Sequence, residues 1–267
     1  MIINHNLNAM NAHRNLSFNN IQQGKSSEKL SSGYRINRAA DDAAGLSISE
    51  KMRAQIRSLG QSQRNTQDGI SLVQTAEGAM NEVSDMLTRM KELATQASNG
   101  TYNTSDLTSI QNEYTALSNA ISNIASNTKF NGINLLNSTN SVTIQAGDTS
   151  SMTVTVSLQN ISSVSSSVGA VSSQSAASSA LASIDTQIGV VNAARSALGA
   201  AQNQLEHTYN NLGATKENLQ AAESRIRDTD MADEMMTYTK FNILQQAANS
   251  MLAQANQAPQ GVLQLLR

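Results

Sequence analysis

Residues 184–226 read IDTQIGVVNAARSALGAAQNQLEHTYNNLGATKENLQAAESRI and place an aliphatic side chain at every seventh position: Ile184, Val191, Leu198, Leu205, Leu212, Leu219 and Ile226. A seven-residue repeat sustained over this span keeps one stripe of a helix turned toward a partner, the pattern of a coiled coil. The positions that would complete the seam turn polar at Arg195, Gln202, Lys216 and Glu223. One narrow stripe removes too little apolar surface from water to offset the ordering of so long a helix, so it must share a core with others.

The partners stand upstream. Val73, Ala76, Met80, Val83, Leu87, Met90, Ala94 and Ala97 alternate steps of three and four, and Ile48, Met52, Gln55 and Leu59 keep the same rhythm. The spacing predicts one helix over residues 43–98, about 80 Å long at 1.5 Å per residue, stopped by Asn99-Gly100. A second helix is expected to start at a capping Thr104 or Ser105 and to fold back antiparallel through Leu107, Ile110, Tyr114, Leu117, Ile121 and Ile124. The predicted seam is therefore Val73, Met80, Leu87, Ile110, Leu117, Leu198, Leu205, Leu212 and Leu219.

Past Asn131-Gly132 the period changes to two. Val142, Ile144 and Ala146, then Met152, Val154 and Val156, alternate with polar residues on either side of Gly147-Asp148, which predicts a β-hairpin over residues 141–157. Residues 161–179 are dominated by serine and read as an exposed linker. The fold class is mainly α: a long antiparallel coiled-coil helical bundle with a small β-hairpin.

Both ends carry thinner stripes. Ile3, Leu7 and Met10 form a short one; Phe241, Leu244, Ala248, Met251, Ala255 and Ala258 form a longer one, which Pro259 and Gly261 are expected to break. Neither stripe buries itself. Paired together they still gain little against the entropy of ordering, so both termini are expected to order only when other copies surround them.

Composition narrows the function. Of 267 residues, 39% are hydrophobic but only 3% aromatic, with no Trp and one Pro, so the core is aliphatic and suits long helices. A net charge of −2 and a pI of about 5.9 supply no basic field for nucleic acid. No Cys is present for disulfides, thiolate ligands or nucleophiles. No apolar run reaches membrane-spanning length, and the start MIINHNLNAM lacks the basic and apolar regions of a cleavable signal peptide, so no membrane insertion is expected. His5, His13 and His207 are scattered without metal-ligand spacing, and no phosphate-cradle or nucleophile-elbow motif appears. Asp41-Asp42 reads as support for a helix N-terminus rather than a catalytic pair, and Gly33, Gly45 and Gly60 as turn or contact positions. Neither enzyme chemistry nor a cofactor is expected.

The stretch LSSGYRINRAADDAAGLSISEKMRAQIRSLGQSQRNTQDGISLVQTAEGAMNEV, residues 30–83, resembles the N-terminal region of bacterial flagellins. So do FNGINLL at 130–136, LEHTYNNL at 205–212, NLQAAESRIRDTDM at 218–231 and MLAQANQAPQGVLQLLR at 251–267. The resemblance implies an axial core domain made by residues 1–42 and 228–267, holding Ile3, Leu7, Met10, Phe241, Leu244, Met251, Leu252, Leu263 and Leu266. It implies an outer coiled-coil domain made by residues 43–160 and 180–227. With only the serine-rich stretch where larger members carry inserted domains, the chain resembles a minimal flagellin.

The implied function is a subunit that self-assembles into the helical flagellar filament for swimming. The implied route is export in an unfolded state through the flagellar type III pathway, without a cleaved signal, to the extracellular filament. Implied partners are many copies of the chain, an export chaperone on the C-terminal segment, and the filament cap and hook-junction proteins. Receptor-stimulating flagellins also present an Arg, a Leu and a Glu on adjacent helices to the vertebrate Toll-like flagellin receptor. TRMKELATQ and SIQNEYTAL put Arg89, Leu93 and Glu113 at those places, while Met90, Thr95 and Tyr114 depart from the commonest pattern. A purely structural reading makes Arg89 and Glu113 a solvated ion pair between helices.

Overall fold

The structure, a computed structural model, describes residues 5–265. Its elements are α1 (Leu7–Ser32), α2 (Ala43–Ala97), α3 (Thr104–Asn127), β1 (Lys129–Phe130), β2 (Ile133–Asn134), β3 (Ser141–Gln145), β4 (Thr153–Ser157), α4 (Ser162–Ser167), α5 (Gln174–Arg227) and α6 (Met231–Leu265). They form two compact units: a terminal unit of Met1–Ala54 with Asn218–Arg267, and a central unit of Gln55–Glu217. The division falls inside α2 and inside α5, so residues 43–54 and 218–227, expected in the outer domain, go with the terminal unit.

In the central unit α2 and α5 run antiparallel. Glu77 meets Arg195 at 2.9 Å and Lys91 meets Asp185 at 2.6 Å, while Gly69 faces Leu205 further along. Val73, Met80, Leu87, Ile110, Leu198, Leu205 and Leu212 are buried, and Leu117 and Leu219 are half-buried. The heptad rhythm thus locates the core. Helix α3 is capped one residue earlier than expected, by Asn103. Its amide oxygen accepts the Asp106 N–H at 2.9 Å, and the Asp106 carboxylate accepts the Asn103 N–H at 3.3 Å. This reciprocal pair satisfies two free donors of the first turn, whereas Thr104 and Ser105 already have helical backbone.

Two hairpins follow. Asn131 and Gly132 have φ of 47° and 81°, the left-handed pair that a two-residue turn between β1 and β2 requires. In the larger hairpin β3 and β4 pair Val142 with Val156 and Ile144 with Val154. Its turn is tied to α2: Ser62 Oγ donates to the Gly147 carbonyl at 2.9 Å, and Gln55 Nε2 donates to Asp148 Oδ2 at 3.2 Å. Gly69 has no side chain to collide with Ile144 Cδ1, so the hairpin lies directly on the helix.

Residues 161–179 are not an exposed linker. Ile161, Val164, Val168, Val171 and Ala177 are buried while most serines between them face solvent, and Ser162–Ser167 form α4. Polar ties hold the segment on α3: Tyr114 OH donates to the Val168 carbonyl at 2.6 Å, Ser118 Oγ to the Ser165 carbonyl at 3.0 Å, and Gln111 Oε1 accepts the Val171 N–H at 2.6 Å. The aliphatic residues recur at helical spacing and supply one buried face despite the serine content.

In the terminal unit α1 runs antiparallel to α6. Asn6, which caps α1, meets Ala255, and Lys29 lies 3.9 Å from Glu234 toward the other end. The expected break at Pro259 and Gly261 does not occur, because α6 continues to Leu265. Proline's fixed φ of about −65° is itself helical; what it removes is the donor for the carbonyl four residues earlier. That carbonyl belongs to Ala255, and it accepts from Asn6 Nδ2 at 2.7 Å.

Candidate assembly surface

A helix pair normally buries a continuous apolar stripe. Among the described residues of the terminal unit, Ile36 is the single buried apolar side chain, accompanied by buried Ser26 and Ser49. Large apolar groups point outward instead: Leu7, Met10, Phe18 and Ile21 on α1, and Met231, Met235, Met236, Ile243, Leu244 and Met251 on α6. Leu7, Met10 and Met251 are 64%, 62% and 65% exposed. Phe241 and Leu252 are half-buried. Ile3 and Leu266 lie outside the described residues, as does the side chain of Leu263. Between the two helices runs an open groove of about 720 Å³, with Ala12, Leu244, Ala248 and Met251 among its walls and Asn8, Asn11 and Asn15 along one side.

The base of the pair is held by a clasp between residues 33–36 and 226–229. The Arg35 N–H donates to the Arg227 carbonyl at 2.7 Å, the Thr229 N–H to the Gly33 carbonyl at 3.0 Å, and the Arg35 guanidinium to the Ile226 carbonyl at 2.6 Å. The Arg227 guanidinium donates to Glu50 Oε1 at 2.7 Å and stacks over the Tyr34 ring, 4.8 Å from its centroid. That hydrogen bond holds the Glu50 carboxyl below its ordinary range. Sequence reading singled out none of Tyr34, Glu50 and Arg227, since no periodicity links residues so far apart along the chain.

Asp41 and Asp42 serve the backbone. Asp41 Oδ2 accepts the N–H groups of Arg38 at 3.0 Å and Asn37 at 3.2 Å, and these bonds, the Arg38 one foremost, lower its pKa. Asp42 Oδ1 accepts the Gly45 N–H at 2.9 Å in the first turn of α2. Asp42 thus supports the start of α2, while both bonds of Asp41 go to the turn that precedes the helix.

On the central unit, Arg89 donates to Glu92 at 2.9 Å and reaches Glu113 of α3 at 2.9 Å; Glu92 first and Glu113 second raise its pKa. The Arg89 and Glu113 side chains are 52% and 47% exposed. Leu93 is not presented beside them. It is 2% exposed and belongs to the core, because its three-residue step from Met90 and four-residue step to Ala97 put it on the seam.

Among the described residues no group of three His, Asp or Glu side chains gathers as a metal site, and no helix is long and apolar enough to cross a membrane. What distinguishes the molecule is a packed coiled-coil unit joined to an under-buried helix pair with its apolar groups turned out. These features define a class: a mainly α, coiled-coil structural protein.

Comparison with known proteins names the family. Residues 3–141 match the bacterial flagellin N-terminal helical region, and residues 181–266 match the bacterial flagellin C-terminal helical region. A flagellin of Halalkalibacterium halodurans is 55% identical over 272 residues spanning both chains in full. The flagellar filament 33 kDa core protein of Treponema phagedenis is 45% identical over 288 residues, again across both chains. The crystal structure of Bacillus cereus flagellin aligns with a TM-score of 0.53 at 36% identity, covering 60% of this chain and 94% of that one. The chain belongs to the bacterial flagellin family, and as a flagellin it is a structural subunit of the flagellar filament, not an enzyme.

Proposed function

We propose that the terminal unit is the polymerising part of the chain, completed by neighbouring copies that cover Leu7, Met10, Leu244, Met251 and the adjoining methionines. One observation carries this reading: a unit of two whole helices and the ends of two more, with one buried apolar side chain among its described residues, has almost no core of its own. In this reading the ends order as copies assemble, and Leu263, Leu266 and Ile3 join the same contacts. The subunit reaches the outside unfolded through the flagellar type III pathway. A chaperone covers the C-terminal segment beforehand, and growth takes place beneath the filament cap from the hook-junction proteins. Electron microscopy of the purified full chain after seeding tests the assembly step: extended filaments support it, and a protein that stays monomeric at high concentration refutes it.

Recognition by the vertebrate Toll-like flagellin receptor rests on Arg89 and Glu113, which are exposed and joined across α2 and α3. Leu93, packed in the core, contributes by holding α2 in place rather than by contact. A receptor-reporter assay is expected to lose most of its response with Arg89→Ala or Glu113→Ala. An undiminished response from both variants would remove the receptor from the list of partners.

A further inference from the structure

The side chain of Asn6 uses both of its polar atoms. Its Oδ1 accepts the Ala9 N–H at 3.1 Å and so caps α1, while its Nδ2 donates to the Ala255 carbonyl at 2.7 Å, inside α6. In an uninterrupted helix the Ala255 carbonyl would take the N–H of residue 259, but residue 259 is proline and has none. Both Asn6 and Ala255 are half-buried, so water has restricted access to this carbonyl and a lost partner is not freely replaced. Among the described residues, the only other polar link between α1 and α6 is the 3.9 Å approach of Lys29 and Glu234. The clasp of residues 33–36 and 226–229 fixes the pair at its other end, and the exposed apolar side chains in between do little to hold the two helices in step along their length.

From this we infer that Pro259 and Asn6 form a register lock: proline leaves one carbonyl of α6 unpaired at a defined height, and Asn6 is the positioning residue that finds it. The lock holds the register of α1 on α6 at the end remote from the clasp, and so aligns the outward-facing side chains there for neighbouring copies. It deepens the assembly reading above, on which its main readout rests.

The test is a cycle of four full-length proteins: the natural chain, Asn6→Ser, Pro259→Ala and the double variant. Serine keeps the α1 cap but is too short to reach Ala255, and alanine at 259 restores the N–H that Ala255 lacks. Asn6→Ser alone is expected to raise the critical concentration for seeded filament growth about tenfold, the scale of one stranded carbonyl. In the Pro259→Ala background the same substitution is expected to change it by less than about twofold. An equal effect in both backgrounds, or none in either, overturns the lock, because capping alone or neither role would then account for Asn6. If the natural chain forms no filaments, the assembly reading falls, and amide exchange of α1 and α6 in the soluble proteins decides the lock instead. Lost protection confined to Asn6→Ser with Pro259 present supports it; matching protection in all four refutes it.

Discussion

Tyr114 shows how much one buried polar atom controls. Its ring lies in the aliphatic core of the central unit and its hydroxyl donates to the Val168 carbonyl, so burial pushes its pKa up to about 12. The unfolded chain releases that proton near 10.0, the ordinary value, while the folded chain keeps it. Between these values the unfolded state binds fewer protons, so stability falls as pH rises, and below the lower value the contribution is intact. The stability of the natural protein is expected to be unaffected by Tyr114 ionisation at neutral pH and to fall progressively above pH 10. Tyr114→Phe removes this group's alkaline contribution but strands the Val168 carbonyl, costing about 1–3 kcal/mol at neutral pH by urea titration. A variant as stable as the natural chain would mean that water replaces the hydroxyl.

At the level of elements, the helices obey the periodicity that predicts them and the exceptions have local causes. Leu205 sits at the middle of the α5 seam, fully buried against α2. Leu205→Asp places a carboxylate there with no partner, a burden on the scale of a whole domain's stability, so the central unit is expected to lose cooperative melting. An unchanged melting temperature would disprove the seam. The rhythm of Val73, Met80 and Leu87 and the alternation of Val154 and Val156 are legible, because spacing alone determines which face is apolar. The valines at 164, 168 and 171 are equally periodic, but the serines around these three residues mask the pattern. The Asn103 cap was missed by one residue, since neighbouring polar residues compete for the same role. The burial of Leu93 follows from its heptad position between Met90 and Ala97. No sequence pattern announces the Arg227, Glu50 and Tyr34 clasp, which depends on how distant segments meet.

For the whole molecule, stability and association are lodged in different parts of the chain. Removing residues from Leu252 onward takes away Ala255 and the last turns of α6 while leaving the buried residues of the central unit in place. Circular dichroism is expected to show a partly helical protein with the cooperative melt retained, and electron microscopy to show no filaments. Filaments of ordinary length from that truncation would contradict the division of labour. The distribution of thioethers has a consequence of its own. Met10, Met152, Met231, Met235, Met236 and Met251 are exposed in the single chain, whereas Met80 and Met90 are shut in the central unit. Dilute hydrogen peroxide should therefore convert the outer sulfurs to sulfoxides first, and mass spectrometry should find the inner pair reduced until the bundle opens. The sulfoxide count at those two positions then works as a clock for the breathing of the bundle, read without any label.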